Sequence, residues 1–174
     1  LGKELTSSEE DQINTAKARE WKTPPMSEEH KNLCIFVLLK NSEGRVIAQG
    51  QLIPIDGVQF DGKEFTIFGI GGIIANQKGQ GYGRKLMEGI KDYLLKNNLT
   101  GIGFTNDEII DFYRKCGFVA DKPSLQQFVH VYDNSKNKNT IDDWVFYLDS
   151  TDQLMTAVLA NPNREVLLPR DPDW

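Results

Sequence analysis

The sequence predicts an α/β domain built on a mixed, mostly antiparallel central sheet flanked by helices. Three observations carry this expectation. The apolar run Leu33 to Leu39 is followed by the turn residues Asn41-Ser42-Glu43-Gly44. A second run, Arg45 to Ile55, comes next, in which Gln49 and Gln51 face the opposite way from Ala48, Gly50 and Leu52, so the pair reads as an antiparallel hairpin. Near residue 77 the pattern changes from strand to helix, with a glycine-rich loop at the change. The length, 174 residues, suits one domain, 1–174, which buries roughly two-thirds of its unfolded surface.

Along the chain, residues 1–32 are polar. Ser7-x-x-Glu10 has the form of a capping box opening a covering helix with Ile13, Ala16 and Trp21 on its apolar stripe. Pro24-Pro25 breaks that helix, and Met26 to Lys31 add a further turn. After the hairpin, Asp56-Gly57 and Asp61-Gly62 mark a connection to a third strand from about Glu64 to Ile74. Behind the glycine loop, Leu86, Met87, Ile90, Tyr93 and Leu94 form one amphipathic stripe. Asn97-Asn98 ends that helix, Thr100 to Phe104 reads as a short buried strand, and Thr105-x-x-Glu108 as a second capping box. The next helix carries Ile109, Phe112, Tyr113 and Cys116 and stops at Gly117. Phe128 to Tyr132 and Trp144 to Leu148 read as antiparallel partners across a polar loop, Asp133 to Asn139. A C-terminal extension after about residue 149 holds a helix opened by Ser150, with Leu154, Met155, Val158 and Leu159 inward, and a short strand at Val166-Leu167-Leu168.

Hydrophobic residues make up 39% and charged residues 26%, close enough to globular values of about 45–50% and 25% to exclude wholesale disorder. No apolar run approaches the about 20 residues of a membrane span. A formal charge of −5 speaks against a protein that tracks nucleic-acid phosphates. Cys34 and Cys116 sit within apolar patterns, and Leu1-Gly2-Lys3-Glu4 lacks the apolar core of a signal peptide, so a cytoplasmic location is expected. Two cysteines and two histidines, all far apart, offer no zinc spacing and no metal site.

The chemistry concentrates at Gln77-Lys78-Gly79-Gln80-Gly81-Tyr82-Gly83, between a strand and a helix. Glycines there let a ligand approach backbone N–H groups at a helix mouth, a setting for an anion. Arg84 and Lys85 oppose the helix dipole in the first turn, which a bound phosphate would explain. The alternative is a tight strand-to-helix turn and nothing more. Two nucleotide motifs fail: Arg84-Lys85-Leu86 is not the Gly-Lys-Ser/Thr of a Walker loop, and Leu86 stands where a dinucleotide fingerprint requires its third glycine.

Lys78-Gly79-Gln80-Gly81-Tyr82-Gly83 resembles the Arg/Gln-x-x-Gly-x-Gly/Ala pyrophosphate loop of the GCN5-related N-acetyltransferase (GNAT) superfamily. Asn106 and the run Tyr113-Arg114-Lys115-Cys116-Gly117-Phe118 resemble its later Tyr-x-Lys-x-Gly-Phe signature, in the same order. The resemblance covers about residues 33–132. Two departures stand out. Lys78 replaces the usual Arg or Gln, keeping charge without a rigid fork. No clear first strand precedes the N-terminal helix, which leaves open a strand missing from this sequence, one made from Leu1–Leu5, or substitution by Val166–Leu168.

The resemblance implies the acyl-CoA N-acyltransferase fold, with acetyl-CoA (CoA) as co-substrate. Its pyrophosphate would lie on the backbone of Gln80, Gly81, Tyr82 and Gly83, beside Lys78, Gly79 and Arg84, and its pantetheine arm along Ile73, Ile74 and Ala75. A backbone N–H near Ile73 or Ile74 would stabilise the oxyanion of acyl transfer. Gly69, Gly71 and Gly72 are compatible with a bulge that splays this strand, or with packing against an aromatic ring. Tyr113 takes the family's position for the acid that protonates the departing thiolate, against the alternative of a core tyrosine. Asn106 would bond the pantetheine or an ordered water, or cap a helix. For the base, Glu64, Glu108, Asp111, Asp171, Asp173 and His130 are the available groups, and Cys116 reads as a packed thiol.

The function implied is direct acetyl transfer to a primary amine of a small-molecule acceptor in a ternary complex, with no nucleic-acid or membrane partner and a homodimer allowed. A protein lysine or N-terminal acetyltransferase and a non-catalytic acyl-CoA-binding domain are the alternatives.

Overall fold

A computed structural model describes residues 5–132, 135–138 and 142–169. Two compact units divide the chain: Leu1–Ile53 with Ile70–Ile90, and Pro54–Gly69 with Lys91–Trp174.

The first unit opens with α1 (Ser7–Trp21) and α2 (Glu28–Leu33) and continues into β1 (Ile35–Lys40). β1 pairs antiparallel with the first half of β2 (Val46–Phe60), from Ile35 opposite Leu52 to Lys40 opposite Val46, with a register shift after Leu39. The expected hairpin therefore forms. The unit also holds the end of β3 (Lys63–Ala75) and the start of α3 (Tyr82–Lys96). The two faces of β2 go to different layers. Gly50 lies against Ile73, Leu86 and Ile90, where an added Cβ would stand 2.6 Å from Ile73 Cδ1. Gln49 and Gln51, one face over, point to α1 and α2: Gln49 Nε2 donates to the carbonyl of Ile13 and Gln51 meets His30.

The capping box of α1 differs from the expected one by one residue. Thr6, extended at φ −72°, is the N-cap, and Thr6 and Glu9 bond reciprocally. Both Thr6-x-x-Glu9 and Ser7-x-x-Glu10 satisfy the motif; the frame is decided by burial, because Glu9 turns inward to pair with Lys40 while Glu10 pairs with Lys31 at 3.0 Å. Ile13 and Ala16 are buried as expected, whereas Trp21 is exposed.

The second unit contains two groups of ladders. In one, β3 runs parallel to β4 (Gly101–Thr105), β4 antiparallel to β8 (Trp144–Leu148), and β8 antiparallel to β5 (Val119–Asp121). In the other, β6 (Phe128–Tyr132) is antiparallel to β7 (Ser135–Lys138) and parallel to β9 (Val166–Leu168), which meets β2 antiparallel at Gln59. The sheet is thus mixed and mostly antiparallel. α4 (Ile110–Lys115) and α5 (Leu154–Ala160) complete the unit.

Here three expectations are corrected. β6 and β8 are not partners; β6 turns back on the polar β7, and β8 inserts between β4 and β5. A strand of polar residues needs only backbone bonds to form, so hydropathy does not reveal it. Thr105 is the last residue of β4, opposite Trp144, and so cannot cap the next helix; α4 starts at Ile110. α5 begins at Leu154 rather than Ser150, because the Asp149 carboxylate accepts from the N–H groups of Met155 and Thr156. The Val166–Leu168 strand forms; Leu1–Glu4 lie outside the described residues. No helix among the described residues is long and apolar enough to cross a membrane.

Candidate active site

In the first unit, β3 leads through Asn76 into the exposed loop Gln77–Gly81 and then α3. Asn76 fixes the loop's start: its N–H donates to Ile47 and its side-chain amide to Val46, while Arg19 donates to its Oδ1 at 2.7 Å. Gly79 and Gly81 take φ of +80° and +76°, and neither has an atom within 4 Å of where a Cβ would stand. The glycines are therefore required by backbone conformation, and space for a ligand is left above them. Among the described residues, no hydrogen bond engages the N–H groups of Gln80, Gly81, Tyr82 or Gly83. The first turn of α3 contains no acid, and Arg84 and Lys85 are both exposed there. Lys78 is largely exposed and reaches Glu20 at 3.1 Å. This is a helix mouth with free donors and three cations close in sequence, a setting that favours a phosphate-like anion.

Ile73, Ile74 and Ala75 lie in β3 immediately before this loop. Gly72, just ahead of them, has φ +63°, and a Cβ there would stand 3.1 Å from the Gln51 side chain. Of Gly69, Gly71 and Gly72 it is Gly72 that takes a positive φ, and its close neighbour is the Gln51 amide side chain rather than an aromatic ring. The parallel ladder of β3 with β4 pairs Phe68 with Gly101 and Gly69 with Ile102.

In the second unit, Tyr113 lies on α4 and is 8% exposed. Its ring stacks on Phe146 at 3.7 Å and meets Phe112 edge-on. Burial, and then the proximity of Cys116 and Asp142, push its phenol well above the ordinary tyrosine range, so the hydroxyl keeps its proton at any physiological pH. Among the described residues the hydroxyl makes no hydrogen bond. The ring of Tyr113 is therefore packed in the core, and its hydroxyl stays protonated. Gly117 ends α4 at φ +86°, as expected.

Asn106 follows β4, and its Oδ1 accepts from Glu108 N–H at 3.1 Å, an Asx turn. The neighbouring Asp107 is held by Trp144 Nε1 at 2.6 Å and by Lys122, with Arg114 over the indole face at 4.5 Å. These bonds hold its carboxyl below the ordinary range, Trp144 contributing most. The Asp107–Trp144 contact joins residues far apart in sequence, and no local motif announces it.

The structure places the other groups as follows. His130 is fully buried on β6, edge-on to Phe104, away from any acceptor in solvent. Glu64 accepts from Gln59 and Asp111 pairs with Arg114, both at the surface. Asp171 and Asp173 lie outside the described residues. Cys116 is buried, as a packed thiol should be. Among the described residues no cluster of three His, Cys, Asp or Glu side chains is arranged to hold a metal.

A family model described as the acetyltransferase (GNAT) family matches residues 3–118. Among solved structures, the chain is similar to the GNAT family N-acetyltransferase YhbS from Escherichia coli in complex with CoA. The two are 14% identical, the match covers 94% of this chain and 86% of that one, and the TM-score is 0.63. It is also similar to Escherichia coli ElaA, at 12% identity, 85% and 95% coverage and a TM-score of 0.57. A third is an acyl-CoA N-acyltransferase from Pseudomonas aeruginosa, at 18% identity, 84% and 92% coverage and 0.53. At these identities the likeness is one of fold. No curated protein matches the chain significantly.

Proposed function

The chain belongs to the GNAT acetyltransferase family, and we propose that it moves an acetyl group from acetyl-CoA directly to the primary amine of a small-molecule acceptor. The observation that carries this reading is the glycine loop, where Gly79 and Gly81 sit at positive φ with open space above them at the mouth of α3. That arrangement fits a pyrophosphate, which needs several convergent N–H donors and tolerates no side chain between.

In this reading Gln80, Gly81, Tyr82 and Gly83 hold the pyrophosphate through their backbone, with Lys78, Gly79 and Arg84 around it. Ile73, Ile74 and Ala75 offer strand-edge groups to the pantetheine arm, and Asn106 a side-chain amide. Acetyl-CoA, when bound, supplies an activated acyl carbon. A backbone N–H at Ile73 or Ile74 stabilises the negative charge that builds on the acyl oxygen during attack. Tyr113 donates from its hydroxyl to the leaving sulfur. Its raised pKa keeps the hydroxyl protonated, so it can offer a hydrogen bond to the sulfur but does not give up its proton outright, since a thiol near 8.5 is the stronger acid. Because the chain carries 25 acidic against 20 basic residues, cationic small amines are favoured as acceptors.

The test is CoA release from acetyl-CoA with polyamines, aminoglycosides, amino acids and histone-like peptides. Release driven by small amines supports the reading. Release with peptides alone makes the chain a protein acetyltransferase, and no release with bound acetyl-CoA makes it a binding domain.

A further inference from the structure

Two contacts tie the end of α1 to the glycine loop, and they come from consecutive residues. We propose that Arg19 and Glu20 are positioning residues for acetyl-CoA: Arg19 fixes the start of the loop through Asn76, and Glu20 holds Lys78 until phosphate takes it. The proposal rests on the acetyltransferase reading and deepens it.

The sequence of α1 sets this geometry. Ile13 and Ala16 are buried, the Val46 N–H donates to Gln12 Oε1, and Gln49 donates to the Ile13 carbonyl, so the helix is held to β2. Arg19 and Glu20 lie three and four residues beyond Ala16, on the same face one turn further on. The helix ends just after them, where Lys22 at φ +57° donates its N–H to the Ala18 carbonyl. Arg19 is the basic residue of that last turn, a place where the helix dipole favours a cation.

The Arg19 guanidinium donates to Asn76 Oδ1 at 2.7 Å, and Asn76 Nδ2 donates to the Val46 carbonyl at 2.7 Å. A guanidinium only donates and a carbonyl only accepts, so the two partners fix which way the amide faces. The Asn76 N–H is bonded as well, to the Ile47 carbonyl at 2.9 Å. Asn76 is thus held by α1 and by β2 at the residue from which the loop departs. Beyond it the chain passes through Gly79 and Gly81, which have no side chains to restrain it. An anchored start reduces the ordering that donor binding must impose on the N–H groups of Gln80 to Gly83.

Two residues past Asn76, Lys78 Nζ meets Glu20 Oε1 at 3.1 Å. The lysine side chain is 82% exposed and the glutamate 35%, so water screens the pair and it is weak. Weakness suits a cation that, in the reading above, turns to a pyrophosphate. Glu20 keeps the ammonium beside the loop in the free protein and competes with phosphate for it.

The test is the dissociation constant of acetyl-CoA by calorimetry, with kcat and KM alongside, in two double-mutant cycles. In the first, Arg19→Ala should weaken acetyl-CoA about three- to tenfold and raise its KM in step while kcat holds. In an Asn76→Ala background the same change should have no effect, because Arg19 acts through Asn76. In the second, Glu20→Gln should tighten acetyl-CoA about two- to threefold by freeing Lys78, a gain that disappears in a Lys78→Met background. Neighbours in one helical turn then act in opposite directions, which a loss of helix stability would not produce. Affinities unchanged in Arg19→Ala and Glu20→Gln, or changes that persist in full in the Asn76→Ala and Lys78→Met backgrounds, overturn the proposal alone. A wild type that does not bind acetyl-CoA overturns the acetyltransferase reading and this proposal with it.

Discussion

Tyr113 lies flat on Phe146, their ring centroids 3.7 Å apart and their planes within 11° of parallel. Phe118 meets the same Phe146 ring edge-on. The tyrosine ring is therefore anchored by aromatic packing, independently of its hydroxyl. Packing and chemistry can be separated by removing a single oxygen.

Tyr113→Phe should fold and melt like the wild type, because every ring contact survives. Its affinity for acetyl-CoA should also be unchanged. If the hydroxyl assists departure of the thiolate, kcat should fall by about 10²–10⁴ where chemistry limits turnover. Steady-state kinetics beside a thermal melt check this; an unchanged kcat would return Tyr113 to a purely structural role.

Much of this arrangement is legible in the sequence. Gly79, Gly81 and Gly117 stand out because positive φ is a local demand that glycine alone meets cheaply, and the α3 stripe is visible as period 3.6. What hides from sequence is polar or long-range. Ser135–Lys138 forms a strand without an apolar pattern, and Val119–Asp121 is too short to show a period. The His30–Gln51 contact joins α2 to β2, and Trp144–Asp107 joins β8 to the loop after β4. The alternation around Gln49 and Gln51 shows that the two amides share a face, but not that an imidazole lies against one of them.

Glu9 makes the N-terminal helix sensitive to acid. The hydrogen bond from the Lys40 ammonium, followed by bonds from Thr6, pulls its carboxyl down to about 2. A carboxyl lowered in the folded state stabilises above its unfolded value of about 4.3, and that contribution is lost as pH falls through the folded value. Glu9→Gln should therefore be less stable than the wild type at pH 7, by about 1–2 kcal/mol. The difference should shrink below about pH 4.3 and close near pH 2. Denaturant melts across this range measure it, and a gap independent of pH would contradict the ion-pair account.

The acidic excess, 25 Asp plus Glu against 20 Lys plus Arg, should speed capture of cationic acceptors. For a polyamine or aminoglycoside, kcat/KM should exceed that for an amino acid with a neutral side chain. It should also fall more steeply with salt as the Debye length shrinks from about 10 Å at 0.1 M to about 3 Å at 1 M. Equal rates and flat salt dependence for both acceptors would leave selection to pocket shape.

The central claim is that the loop between β3 and α3 holds the pyrophosphate of acetyl-CoA. Calorimetric titration of acetyl-CoA into the wild type and into Gly81→Glu tests it most directly. The variant places a charged side chain in the open space above a residue at φ +76°. With folding verified by circular dichroism, the account predicts saturable one-to-one binding by the wild type and none by the variant. Equal affinity in the two proteins would contradict it.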